Sequence, residues 1–187
     1  AGLGAGGVAA LYNWLLGIAH QGMTENFRMN RLLMWIQPEN YSSGIGYQTV
    51  QGLYAIGSGG LFGKGLGKSL QKLGFIPESQ NDMIFSIICE ELGLFGAMCI
   101  ILVFALMLWR IIHIAQNAPD LFGTMLAAGV FAHVAVQVVL NIAVVTNFIP
   151  NTGVSLPFIS YGGTASFFLL LEMGIVLNIS SKIRLER

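Results

Sequence analysis

The sequence predicts an all-α membrane protein, a polytopic helical bundle. Hydrophobic residues make up 55% of its 187 residues and charged residues only 10%, whereas a soluble domain carries about 25% charged residues. Four stretches have the length and apolar character that a spanning helix of about 20 residues needs. Nine basic residues balance nine acidic ones, which removes the electrostatic argument for nucleic-acid binding.

The four predicted spans are residues 3–20, 83–112, 121–148 and 158–179. The first is short and rich in glycine, and the chain opens without Met or a basic region. We therefore expect the chain to begin inside a longer polypeptide, within a helix. Residues 1–187 form a single membrane domain in this interpretation, and residues 21–82 form one long loop that is too polar to span.

The positions of lysine and arginine predict the orientation of the spans. Lys182, Arg184 and Arg187 follow the last span, whereas the connection at residues 147–157 has no basic residue. The C-terminus is therefore expected on the cytoplasmic side and the loop at residues 21–82 on the extracytoplasmic side. This loop also holds basic residues, but loops beyond about 60 residues are largely exempt from the rule.

The stretch at residues 57–69, GSGGLFGKGLGKS, is unusually rich in glycine. Irregular backbone at membrane depth must be buried in protein or line a wet cavity. The stretch is thus a candidate cavity wall or re-entrant turn, with a flexible surface linker as the alternative. Lys64, Lys68 and Lys72 would share one face of a helix, where they could bind an anionic headgroup or diphosphate; a solvated face is the alternative.

Asp82 stands at the mouth of the second span. A carboxylate near the headgroup plane suits a general base acting on a lipid-linked substrate, although residue type alone favours an N-cap that accepts backbone N–H bonds. Glu90 and Glu91 follow about 12 Å further along the helix. Because adjacent helical side chains diverge by about 100°, at most one of them shares the side of Asp82.

The third span carries His133, Gln137 and Asn141 on one face, which we expect to point into the bundle and to bond across helices rather than to form a proton path. Glu172 in the last span is a possible partner of His133. Between these spans, residues 147–167 contain two prolines and three glycines, which break the helix. They predict an ordered turn beside Asp82.

These segments together resemble the SEDS family (shape, elongation, division and sporulation), whose members include FtsW, RodA and SpoVE. The matching segments, in order, are GSGGLFGKGLG at 57–67, PESQNDMIFSIICEELGLFG at 77–96, Gln137 with Asn141, and IPNTGVSLPFISYGGTAS at 149–166. The match covers nearly the whole chain and looks most like the FtsW and SpoVE division and sporulation type. Since family members have about ten spanning helices, the chain resembles their C-terminal part.

The resemblance implies a peptidoglycan glycosyltransferase of the bacterial cytoplasmic membrane. Such enzymes polymerise lipid II by joining the 4-hydroxyl of an acceptor N-acetylglucosamine to the donor N-acetylmuramic acid carbon, with loss of undecaprenyl diphosphate. The essential aspartate of the family matches Asp82, which reverses the preference for an N-cap. Asp82 is expected to deprotonate the attacking hydroxyl or to help hold a divalent cation, expected to be Mg²⁺, at the diphosphate.

Seven further residues are candidates for substrate binding. Lys64 and Lys68 are assigned to the diphosphate on charge rather than on the family motif, and the other candidates come from the matching segments: Glu90, Glu91, Ser160, Gly162 and Gly163. The expected partners are lipid II, a class B penicillin-binding protein transpeptidase, other divisome or elongation proteins and membrane lipid, without nucleic acid. This chain alone is expected to be inactive.

Two alternatives differ in what they require of Asp82. A lipid II flippase, for which a glycine-interrupted segment is also suited, should tolerate its loss. So should a non-catalytic scaffold that docks a division transpeptidase. The chain also departs from the family pattern at Gln80 and Asn81, where many members carry His-Thr, and at Asn147, where a small residue is common.

Overall fold

The computed structural model describes residues 31, 34–36, 45–69 and 81–183. This part contains no strand, and its long helices are α1 (Ile45–Gly59), α2 (Ile84–Gln116), α3 (Leu121–Val145) and α4 (Gly163–Ser181). The predicted all-α class is confirmed. The first predicted span, residues 3–20, lies outside the described residues, as do Lys72 and Gln80.

Helices α2, α3 and α4 are each long and apolar enough to cross a membrane, so the chain is a multi-pass membrane protein. Their bounds differ from the predicted ones where the backbone leaves the helical region. The third span ends at Val145 instead of residue 148 because Asn147 has a φ of 57°. The fourth begins at Gly163 instead of residue 158 because Phe158 has a φ of 62° and such angles interrupt a right-handed helix.

The bundle is held together mainly where α2 packs on α3. Ile111 of α2 and Ala127 and Val134 of α3 are almost completely buried there. Large apolar side chains also cover the outside, with Val103 and Val139 each 64% exposed. An apolar outer surface of this extent suits helices that face lipid.

Helix α2 is interrupted at Gly93, whose φ of 70° and ψ of −169° are not helical. The glycine-rich loop, residues 57–69, packs against this break and completes its backbone hydrogen bonds. Four such bonds have N···O distances of 2.9 to 3.1 Å, written donor first: Lys64 to Glu90, Gly65 to Glu91, Leu94 to Gly60, and Phe95 to Leu61. The backbone N–H and C=O groups that lose their helical partners at the break therefore form hydrogen bonds within the protein. The flexible-linker alternative for this loop is wrong.

Two glycines make this close approach of loop and helix possible. Gly63 has a φ of 76°, and a Cβ on it would overlap the backbone carbonyl of Glu91. Gly93 has a φ of 70°, and a Cβ on it would overlap the Leu61 carbonyl and the Gly63 nitrogen. Glycine at these two positions is thus a packing requirement.

The lysine stripe is not formed. Gly63, Gly65 and Gly67 all have positive φ, so the chain from residue 60 to residue 69 turns repeatedly and contains no helix. Lys64 and Lys68 therefore do not share a helix face. The prediction that required one is wrong because glycines at every second position favour turns over helix.

Candidate functional site

Asp82 lies in the turn that leads into α2. The N-cap of α2 is Met83, so the alternative in which Asp82 is the N-cap is wrong. The Asp82 carboxylate is partly exposed and its Oδ1 accepts a hydrogen bond of 3.2 Å from Nε2 of Gln48 on α1. Helix α1 therefore orients the carboxylate while leaving it accessible.

Asn141 of α3 is completely buried and joins the Asp82 segment to the turn at residues 147–162. Its Nδ2 donates to the backbone carbonyl of Asp82 at 2.9 Å and to that of Val154 at 2.8 Å. The prediction that this face of α3 bonds inside the bundle is confirmed at Asn141. The turn consequently lies beside Asp82, as the sequence predicts.

The turn itself is closed by Ser160. Its buried Oγ accepts a hydrogen bond of 2.7 Å from the Leu156 N–H, and its own N–H donates to the Leu156 carbonyl at 3.1 Å. Ser160, a predicted substrate-binding residue, thus has a structural bond of its own. Gly162 is the N-cap of α4, and Gly163 beside it is exposed, with open space where a Cβ would stand.

Asn147 anchors the start of this turn. Its carbonyl accepts a hydrogen bond of 3.0 Å from Nε1 of Trp35, and its Nδ2 lies 3.4 Å from the Trp35 carbonyl. Asparagine is among the few residues other than glycine that readily adopt a left-handed backbone. The departure from the expected small residue at this position therefore leaves the turn intact.

Lys64 and Glu90 form an ion pair between the glycine-rich loop and α2. The Glu90 side chain is completely buried, and its Oε1 lies 2.7 Å from Nζ of Lys64. Two hydroxyl groups also donate to this carboxylate, those of Ser58 and Ser69. Glu90 is thus the glutamate that faces the loop. Glu91 is partly exposed, with a buried Oε1 that has no hydrogen-bond partner among the described residues.

The structure therefore divides the candidate residues into two groups. Asp82 and the turn that carries Ser160 meet at Asn141, whereas Lys64 and Glu90 pair with each other. Glu90 follows Asp82 by eight residues, about 12 Å along a helix. Lys68 is exposed.

His133 and Glu172 form a hydrogen-bonded pair between α3 and α4. Nδ1 of His133 lies 2.9 Å from Oε2 of Glu172, which confirms the predicted partnership. The pair borders a cavity of about 300 Å³, and a cavity of about 490 Å³ lies nearer the end of the bundle at Lys182. Neither cavity is lined by Asp82.

A cation site would have few protein ligands. Within the described ranges, no three His, Cys, Asp or Glu side chains come together as a metal-binding group. Mg²⁺ is commonly held by one or two carboxylates together with substrate phosphates and water. The partly exposed carboxylate of Asp82 fits this kind of shared site and does not fit a site built from protein ligands alone.

Sequence reasoning missed the partners that the fold brings from a distance. Gln48, Ser58 and Ser69 have no motif that marks them, since their roles depend on how α1 and the loop pack on α2. The break in α2 had a weaker signal, because a glycine inside a helical pattern, such as Gly93 between Leu92 and Leu94, lowers the helix propensity of the segment.

Comparisons with known proteins bear on this site. A family model described as "Cell cycle protein", which covers FtsW, RodA and SpoVE, matches residues 6–185. The chain is 46% identical to stage V sporulation protein E of Bacillus subtilis over 89% of its length, and 44% identical to a probable peptidoglycan glycosyltransferase FtsW of Trichlorobacter lovleyi over 85%. It spans less than half of these relatives, 45% and 42% of their lengths.

Solved structures share the fold at lower identity. A peptidoglycan synthase complex contains a chain with a TM-score of 0.65 and 23% identity, and the match covers 96% of this chain and 49% of that one. The rod shape determining protein RodA of Thermus thermophilus has a TM-score of 0.55 and 23% identity. This match covers 92% of this chain and 64% of that one. The helical arrangement is therefore one that solved membrane proteins also adopt.

Proposed function

Because the chain belongs to the FtsW, RodA and SpoVE family of cell cycle proteins, we propose that the full-length protein is a peptidoglycan glycosyltransferase. Its substrate is lipid II, and its product is glycan strand for division or cell-wall growth. The relative from Trichlorobacter lovleyi bears that enzyme name at 44% identity. The bundle lies in the bacterial cytoplasmic membrane, with Asp82 on the extracytoplasmic side and the basic tail in the cytoplasm.

The observation that carries the proposal is the setting of Asp82. Its carboxylate is accessible, oriented by Gln48, and fixed through its backbone to the turn at residues 147–162. An accessible carboxylate held by its surroundings is suited to general base catalysis. The same geometry has no evident use in a scaffold.

In the proposed reaction, Asp82 takes the proton of the acceptor 4-hydroxyl as that oxygen bonds to the donor anomeric carbon. The bond between this carbon and the diphosphate oxygen breaks, and undecaprenyl diphosphate leaves with the bonding electrons. If Asp82 instead helps to hold a Mg²⁺ ion at the diphosphate, that ion would neutralise the leaving group. Lys68, which is exposed, is the better placed of the two lysines for the diphosphate, because Lys64 is paired with Glu90.

The remaining candidates keep their proposed roles in substrate binding: Glu90, Glu91, Ser160, Gly162 and Gly163. Glu91 and Gly163 are the more accessible of these, whereas Glu90 and Ser160 are buried. The proposed protein partners are a class B penicillin-binding protein transpeptidase and other divisome or elongation proteins.

The test uses the full-length protein reconstituted with its transpeptidase, lipid II and Mg²⁺. We expect Asp82→Asn to lower the rate of glycan synthesis by at least about 100-fold, the contribution typical of a general base. The matched control is Asp120→Asn at the other end of the bundle. Asp120 is the N-cap of α3, and asparagine caps equally well. Glycan synthesis by Asp82→Asn at the wild-type rate would show that the catalytic assignment of Asp82 is wrong. A reconstituted wild-type protein that makes no glycan strands would refute the glycosyltransferase proposal and favour the flippase or scaffold alternative.

A further inference from the structure

The side-chain amide of Asn141 bonds both to the Asp82 segment and to the turn at residues 147–162, with N···O distances of 2.9 and 2.8 Å. It is completely buried in α3, a helix packed along α2. Because both N–H groups of Nδ2 are used, one on each carbonyl, the amide plane fixes the separation of those two backbone segments. Movement of either segment breaks one of the bonds.

We propose that Asn141 is a positioning residue, which sets the distance between the Asp82 carboxylate and the turn that faces it. The inference rests on the proposed function, because it assigns Asn141 a role through Asp82. Asn141 touches the backbone of Asp82 and not its carboxylate, so it acts on the reaction only by placing that group. The carboxylate itself is held by Gln48, whose Nε2 donates to Oδ1.

The chemistry of the amide explains why asparagine is needed. Two carbonyl oxygens at 2.9 and 2.8 Å demand two donors from one short side chain, and among side chains of this size only asparagine supplies them. Leucine has a similar volume but no donor, and serine has one. The three residues therefore form a graded series in hydrogen-bond donors at one position.

The test compares Asn141→Ser and Asn141→Leu in the full-length protein reconstituted with its transpeptidase. Gln137→Leu is the matched control, because Gln137 lies one turn earlier on the same helix and makes no hydrogen bond to Asp82 within the described part of the chain. Rates are measured at equal amounts of monodisperse protein, and hydrogen exchange is followed in residues 150–158. We expect kcat to fall about 10-fold for serine and about 100-fold for leucine, since small misplacement of a reacting group has effects of this size.

The expected pattern has three parts: kcat falls in the order of lost donors, KM stays within about twofold, and hydrogen exchange in the turn becomes faster in both Asn141 variants but not in the Gln137 control. Equal kcat values in the Asn141→Ser variant and the control would overturn the inference. So would a rise in KM at unchanged kcat, which would assign Asn141 to substrate binding. Asp82→Asn, assayed alongside, separates the two proposals. If it is inactive while the Asn141 variants match the control, only the positioning role fails.

Discussion

The ammonium group of Lys64 lies 2.7 Å from Oε1 of Glu90, and the backbone N–H of the same lysine donates to the Glu90 carbonyl at 2.9 Å. Lys64 of the loop thus contacts both the side-chain carboxylate and the main-chain carbonyl of Glu90 in the helix. The contact occurs three residues before the break at Gly93. It fastens the glycine-rich loop at the place where α2 is weakest.

The Lys64→Met variant should be less stable than the wild type by about 3 kcal/mol, because it leaves the buried Glu90 carboxylate without its counter-ion. The double variant Lys64→Met with Glu90→Leu should recover part of this loss, since an apolar pair needs no compensation. Thermal unfolding in detergent measures both. Lys68→Met is the control and should change stability by less than about 0.5 kcal/mol; equal losses at both lysines would contradict the assignment.

Alanine at Gly63 should detach the loop from α2. The positive φ alone disfavours a side chain by about 1 to 2 kcal/mol, and the overlap with the Glu91 carbonyl adds to this. We expect a lower melting temperature together with faster protease cleavage within residues 57–69. Gly174→Ala provides the comparison, because a Cβ there meets nothing within 4 Å and alanine favours helix by about 1 kcal/mol. A Gly63→Ala protein as stable as the Gly174→Ala protein would show that the loop does not need this contact.

Replacement of Ser160 by alanine should lower stability by about 1 to 3 kcal/mol, because the Leu156 N–H then has no acceptor in a buried place. The change in KM for lipid II should be small if the hydroxyl is purely structural. Melting temperature and KM, measured on the same preparation, separate the two roles. Thr164→Ala, at an exposed position on α4, is the control for melting. A large KM increase at unchanged melting temperature would instead support the substrate-binding assignment.

The pair His133 and Glu172 should show a coupling free energy of about 1 kcal/mol in a double-mutant cycle, within the range found for polar contacts between membrane helices. The variants are His133→Leu, Glu172→Leu and the double replacement, each measured by unfolding in detergent. The loss of stability in the double variant should be smaller than the sum of the losses in the two single variants. Additive effects would mean that the 2.9 Å contact contributes no net stability.

The spans were predictable from length and composition, because apolar runs of more than about 20 residues have few alternatives to a membrane helix. The contact between His133 and Glu172 was predictable for a related reason, since an ionisable group within a membrane-spanning segment needs a partner. The break at Gly93 was not predicted, because hydropathy counts a glycine within an apolar run as part of the span. The placement of Gln48 on Asp82 and of Asn141 on Val154 depends on tertiary packing, which no local pattern encodes.

The lysine stripe shows why a spacing argument fails when glycine intervenes. The spacing of Lys64 and Lys68 fits one helix face, but the glycines between them adopt positive φ and the segment forms no helix. Lys64 instead reaches a carboxylate 26 residues later in the chain. A periodic charge pattern therefore carries structural information only where the backbone can keep the period.

The break in α2 also sets a length scale. Residues 94–116 alone extend about 35 Å at the usual rise per residue, which already exceeds the roughly 30 Å of hydrocarbon in a bilayer. The nine residues of α2 on the other side of Gly93 can therefore stand at the height of the lipid headgroups. A lipid whose tail keeps its diphosphate at that same height would reach Asp82 by lateral diffusion in its own leaflet, and its search for this site would be two-dimensional.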